Sequence, residues 1–177
     1  MLKTLVVSLF GGPGAGKSTF AHGIMWHLKI KGIECEFAAE YAKDVVFEEN
    51  SKKLDNQIYI FGKQLHRVYR LMDKVEVVVT DSPILLSTIY DKHQKPTLKK
   101  LILEEYGSWN HLNYVIQRLH DYNPKGRIQD EADSQVIHQN VISLLNDNNL
   151  TYQIIESKPE NLELMVNQIV NKVNELR

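Results

Sequence analysis

Thr4 to Thr19 reads TLVVSLFGGPGAGKST, an uncharged run of β-formers that breaks into a glycine-rich loop ending in Lys17, Ser18 and Thr19. A run without polar alternation suits a strand buried on both faces. The loop, Gly11-Gly12-Pro13-Gly14-Ala15-Gly16-Lys17-Ser18, fits G-x-x-x-x-G-K-[ST]. Glycines let backbone N–H groups turn inward around phosphate oxygens, where a Cβ would intrude. The helix expected from Lys17 to Lys31 adds the positive end of its dipole. Lys17 suits the β- and γ-phosphates of ATP or a close relative, and the Ser18 hydroxyl suits Mg2+. A chance glycine turn is the bland alternative. The buried strand before the loop and the helix after it are the context that the phosphate-binding motif requires.

Working outward, Phe20, Ile24 and Leu28 mark one face of that first helix, and Gly32 is its expected stop. Ile33–Ala38 reads as a second strand, followed by a short helix near Glu40. Leu54–Asp73 reads as one long helix, with Leu54, Ile58, Phe61, Leu65, Val68 and Met72 as a continuous stripe. Val75–Thr80 is a third strand ending at Asp81. Ile84–Tyr90 and Thr97–Tyr106 are expected helices, and Leu112–Leu119 is a fourth strand. His120–Gln129 is a polar loop containing Pro124 and Gly126. Asp130–Asn146 is a helix with Ile137, Val141, Leu144 and Leu145 on one face, and Thr151–Ile155 is a fifth strand. A last helix starts near Pro159, its core face being Leu162, Met165, Val166, Ile169 and Val173. Strands that alternate with helices predict an α/β fold: a parallel five-stranded sheet with helices on both faces, in three layers. Ligands of such sheets bind beyond the carboxyl ends of the strands.

The 177 residues are enough for one domain with a sizeable core, and 43% hydrophobic with 24% charged residues is an ordinary globular balance. A net charge of -1 gives no overall field that would hold nucleic acid. Cys35 is the one cysteine, so no intrachain disulfide forms. The seven histidines show no metal-ligand spacing. No run approaches the roughly 20 apolar residues of a membrane span, so a cytoplasmic protein without a membrane partner is expected.

Several residues fall where chemistry is expected. Asp81 closes a buried strand beside the phosphate loop and suits magnesium and its waters, or the acceptor's proton; a helix cap is the alternative. Glu40 follows the second strand, ahead of Tyr41, and a solvated acid at a helix start is the competing reading. Gln57, Gln64 and Arg67 share a second face of the Leu54–Asp73 helix, where two amides could read a ring edge; a wetted face explains them equally. Arg118 and Arg127 flank the polar loop, and their guanidinium forks suit closure over phosphates. Two surface arginines would look the same. The lysines of Lys92–Lys100 read as a solvated face or as a contact for a nucleic acid acceptor.

The sequence lacks the Asn-Lys-x-Asp expected of a guanine reader, and Ser82, not glutamate, follows Asp81. What remains is the plan of a small kinase. The pieces GGPGAGKST (Gly11–Thr19), AAEYAKD (Ala38–Asp44), VVVTDSP (Val77–Pro83) and RLHDYNPKGRIQDEA (Arg118–Ala132) resemble the small P-loop kinases, or AAA-type ATP-binding domains, grouped with the nicotinamide riboside kinase domain of NadR. Nucleoside and nucleoside monophosphate kinases are more distantly similar. The resemblance implies a single P-loop NTPase domain over residues 1–177, with a lid at about 120–129 and ATP and Mg2+ as cofactors. It also implies a phage origin. It implies that Lys17, Glu40, Asp81, Arg118 and Arg127 are catalytic, with Glu40 or Asp81 holding the acceptor hydroxyl, and that Glu40, Tyr41, Gln57, Gln64 and Arg67 touch the substrate. The acceptor implied is a nucleoside or nucleotide. A hydroxyl on a modified base of phage DNA, or an ATP-binding regulatory module or ATPase without an acceptor, are the alternatives. Oligomeric state is not legible.

Overall fold

Leu5–Phe10 forms β1, and all six residues are buried, because helices cover both faces of the sheet. The computed structural model describes residues 3–119, 121 and 130–177. After β1 come α1 (Lys17–Ile30), β2 (Cys35–Ala38), α2 (Tyr41–Phe47), α3 (Ser51–Asp55) and α4 (Gln57–Tyr69). Then follow β3 (Val77–Thr80), α5 (Leu86–Tyr90), α6 (Pro96–Gly107), β4 (Asn110–Gln117), α7 (Glu131–Asp147), β5 (Gln153–Glu156) and α8 (Glu160–Leu176). The sheet order is β2-β3-β1-β4-β5, and every neighbouring pair is parallel. The expected five-stranded parallel α/β sheet of a P-loop NTPase is therefore the fold.

Period-two alternation sorts β1 between the layers. Leu5, Val7 and Leu9 pack with Phe20, Ile24 and Leu28 of α1 and Met165, Val166 and Ile169 of α8. Phe10 faces the other way, into a cluster with Phe61 of α4, Ile102 of α6 and Val141 and Leu145 of α7. Val6 shares that second face and packs with Val78 and Val68. The chain leaves β1 toward β2 and β3 on one side, then crosses to β4 on the other. The carboxyl end of β1 thus opens at the point where the winding reverses, where parallel sheets form their ligand crevice.

One expected element is corrected. Leu54–Asp73 is not one helix: α3 ends at Asp55 and α4 begins at Gln57. Asn56 between them adopts φ -93° and ψ 81°, and its side chain accepts from the Tyr59 N–H. Asparagine is a favoured N-cap because that bond satisfies an otherwise orphaned amide, so it restarts the helix there. The buried face also differs from the expected stripe. Gln57, Ile60, Phe61, Gln64 and Val68 are buried, whereas Ile58 is 55% exposed. No helix among the described residues is long and apolar enough to cross a membrane.

Candidate functional site

The phosphate loop leaves β1 with its geometry set by glycine. Gly16 caps α1 at φ 93°, in the left-handed region, and no side chain caps the helix among the described residues. The first turn of α1 holds no acidic residue. Its leading N–H groups and dipole end are therefore left for an anion, not spent on a side chain of the protein. Gly12 is required by close packing: a Cβ there would collide with the Ser134 carbonyl oxygen of α7. Lys17 folds back over the loop, its Nζ donating to the carbonyls of Gly11 at 2.9 Å and Gly12 at 3.0 Å. Lys17 thus lies across the mouth that the glycines shape. Ala15 is buried beneath it, Thr19 is exposed one residue beyond Ser18, and Pro13 and Gly14 are partly exposed at the tip.

Asp81 stands just past β3 and is 4% exposed. A buried carboxylate needs partners for both oxygens. Ser18 Oγ donates to Oδ2 at 2.5 Å, and the Glu40 backbone N–H donates to Oδ1 at 3.1 Å. One carboxylate therefore ties the phosphate loop to the β2–α2 corner. A hydroxyl and a carboxylate at the foot of an anion loop are hard oxygen donors, the set that a small divalent cation takes. Ser18 and Asp81 fit such an ion, and the glycine cradle fits a polyphosphate.

The β2–α2 corner is braced from α4. Gln64 is buried, and its Oε1 accepts from the Tyr41 N–H at 2.9 Å while its Nε2 lies 3.5 Å from Thr80 Oγ1. Arg67 donates to the Ala39 carbonyl at 3.0 Å, pairs with Asp44, and places its guanidinium over the Tyr41 ring. Both residues, expected to touch a substrate, here hold the backbone of the corner on either side of Glu40. Tyr41 meets Tyr59 hydroxyl to hydroxyl at 2.8 Å, with the rings edge to face. Gln57 is buried at the start of α4, its Nε2 donating to the Leu54 carbonyl at 2.8 Å. Glu40 is partly exposed at the N-terminal flank of α2.

Arg118 follows β4 and is mostly buried, with Nη2 donating to Glu131 Oε1 of α7 at 2.7 Å. Arg127 and the expected lid at 120–129 lie outside the described residues, except for Asp121. Lys92 and Lys100, from the basic stretch, pair with Asp55 and Glu104.

Two loop contacts escaped sequence reading. Ser134 Oγ donates to the Pro13 carbonyl at 2.6 Å, and the Gly12 N–H donates to His138 Nδ1 at 3.5 Å. Burial, and then the nearby Lys17 ammonium, hold the His138 imidazolium below its ordinary pKa. The one signal was Ser134 itself, a hydroxyl that continues the apolar stripe of Val141 and Leu145.

Comparison with known proteins agrees with this architecture. A family model described as an AAA domain matches residues 6–163. The chain is similar in structure to the NadR protein solved in complex with NR, with TM-score 0.67 and 16% identity over 98% of this chain. It spans about half of that protein, 52% of its length. Thymidylate kinase from Ehrlichia chaffeensis is also similar, with TM-score 0.60 and 12% identity, over 97% of this chain and 99% of that one. At these identities the likenesses speak to the fold. Among curated proteins, none matches the chain.

Proposed function

We propose that this chain, which belongs to the AAA domain family, is a magnesium- and ATP-dependent kinase acting on a nucleoside or nucleotide. The observation that carries the reading is Asp81, whose two oxygens bond the phosphate-loop serine and the amide of Glu40. That arrangement supports a reading in which the triphosphate lies on one side of Asp81 and an acceptor-side acid, Glu40, on the other. The two similar structures, NadR with NR and a thymidylate kinase, lend support to this acceptor class.

In this reading ATP lies along Gly11–Thr19, and Lys17 leaves the Gly11 and Gly12 carbonyls for the β- and γ-phosphates. A magnesium ion held by Ser18 and Asp81 would supply charge neutralisation at the phosphates. Asp81 is engaged at both oxygens, so the acceptor's proton falls to Glu40. The acceptor oxygen bonds to the γ-phosphorus, the bond from that phosphorus to the β–γ bridging oxygen breaks, and ADP leaves with its electron pair. The hydroxyl proton passes to Glu40; a phosphate acceptor has none to pass. Tyr41, Gln57, Gln64 and Arg67 shape the acceptor side. Arg118, with Arg127, neutralises charge on the transferring group. Catalysis is mainly positioning in a dry cleft.

The test is ADP release measured against a panel of nucleosides, nucleotides and nicotinamide riboside. The reading expects acceptor-dependent turnover with at least one member; where that acceptor is a hydroxyl, turnover is lost in Glu40→Gln. ATP binding without any acceptor-dependent turnover would remove it. Phosphate appearing in hydroxymethylated DNA alone would move the acceptor to a polymer.

A further inference from the structure

We propose that Ser134 and His138, successive turns of α7, are positioning residues of the phosphate loop, one gripping the Pro13 carbonyl and the other the Gly12 amide. The proposal rests on reading Gly11–Ser18 as the triphosphate site. It concerns how that loop is held before nucleotide arrives.

Three observations converge on the back of the loop. Ser134 is 5% exposed and would waste a buried hydroxyl without a partner. Its partner is Pro13, the one loop residue that has no N–H of its own. His138 stands one turn on and presents Nδ1 to the Gly12 N–H. Gly12 carries no Cβ, and the space that a Cβ would fill is taken by the Ser134 carbonyl oxygen. The backbone of α7 is therefore seated directly on the loop. A helix that only covered a core would place apolar side chains here, as α7 does further along at Val141, Leu144 and Leu145.

The chemistry of His138 fits the task. A neutral imidazole protonated at Nε2 has a lone pair at Nδ1 for the Gly12 N–H; an imidazolium has none. Burial and Lys17 both favour the neutral ring. The two grips are on opposite polarity, one donating to a carbonyl and one accepting from an amide. They fix the peptide planes on either side of the Gly12–Pro13 bond. With those planes fixed, the amides that follow stay turned toward the phosphates. A loop free to rotate would bond its own carbonyls or water, and each nucleotide would have to reorder it.

The experiment uses the whole chain, with Ser134→Ala, His138→Leu and His138→Asn. Val136→Ala serves as control, because Val136 lies on the same helix and is 59% exposed. Amide hydrogen exchange of residues 11–18 is read without nucleotide, and the magnesium–ATP dissociation constant by calorimetry. Ser134→Ala and His138→Leu are expected to speed loop exchange and to weaken ATP by about two- to tenfold, the worth of one neutral hydrogen bond. His138→Asn, which keeps an acceptor near Nδ1, is expected to return both readings to those of the wild type. The control should change neither. If His138→Leu does not fold, Ser134→Ala decides. Loop exchange and ATP affinity both unchanged in the variants would overturn the proposal, as would His138→Asn behaving like His138→Leu. Wild-type protein that binds no ATP would overturn the kinase reading; the two grips would still stand or fall on the exchange of the loop amides.

Discussion

The Ser18 hydroxyl donates to Asp81 Oδ2 at 2.5 Å, bonding the first turn of α1 to the end of β3 across 63 residues of sequence. A charge-assisted bond this short fixes the two groups at the distance from which both can face one cation. In the kinase proposed above, the protein alone would then supply two of the metal's oxygen donors. The same carboxylate holds the Glu40 amide at 3.1 Å, so the phosphate loop and the β2–α2 corner are tied to one side chain.

Asp81→Asn keeps the shape and removes the charge. Magnesium-dependent turnover should fall by at least about 10- to 100-fold, the usual cost of disturbing a metal's surroundings. The thermal midpoint should move little by comparison. Steady-state rates at graded magnesium check this. A merely regulatory ATP module predicts that biological function survives Asp81→Asn and is lost in Lys17→Ala.

Gln64→Leu preserves volume and deletes both amide bonds. The Tyr41 N–H loses its acceptor in a part-buried site, which should cost about 1–3 kcal/mol in urea unfolding. Because Tyr41 adjoins Glu40, KM for the acceptor should rise more than KM for ATP. Equal changes in both would show that the corner does not belong to the acceptor side.

Gly12→Ala forces a Cβ into the Ser134 carbonyl oxygen. Relief requires α7 or the loop to move, at a cost of about 1–3 kcal/mol typical of overpacking. ATP affinity should drop with it. Chemical denaturation and nucleotide titration of the same sample read the two effects together.

His111 gives the fold an acid-sensitive point away from the site. Its Nε2 lies 2.6 Å from the Tyr106 carbonyl, its ring stacks on the Tyr106 ring at 3.6 Å, and Nδ1 has no partner among the described residues. Burial pushes its pKa down to about 4. The neutral ring is the one that folds. This contribution is full above the unfolded pKa near 6.5 and is lost as pH falls from about 6.5 toward 4. It amounts to up to about 3 kcal/mol. His111→Gln, which keeps a donor and does not titrate in this window, should flatten that limb of the stability–pH curve measured by urea midpoint.

What could be read from the sequence was local. Thr4–Phe10 and Gly11–Ser18 announce a buried strand and an anion loop because each residue's role is fixed by its immediate neighbours. Asp81 was legible because a carboxylate at the mouth of an apolar strand is conspicuous. The restart at Asn56 was missed because the Leu54–Met72 stripe runs through it in period, while the cap depends on one side-chain bond. Gln64 and Arg67 were legible as neighbours on one helix face, but their bonds to Tyr41 and Ala39 depend on a corner that only the packed fold creates. The pairings of Ser134 and His138 were not legible because their partners lie 121 and 126 residues away; a hydroxyl in the apolar stripe of α7 signals a buried polar group but does not name its partner.

The most direct measurement is calorimetric titration of the folded chain with ATP, with and without magnesium, alongside Lys17→Met. The account predicts one site per chain, tightened by magnesium and lost in the variant. Well-folded wild-type protein that gives no binding heat with magnesium and ATP, or that binds equally after Lys17 is replaced, would contradict it.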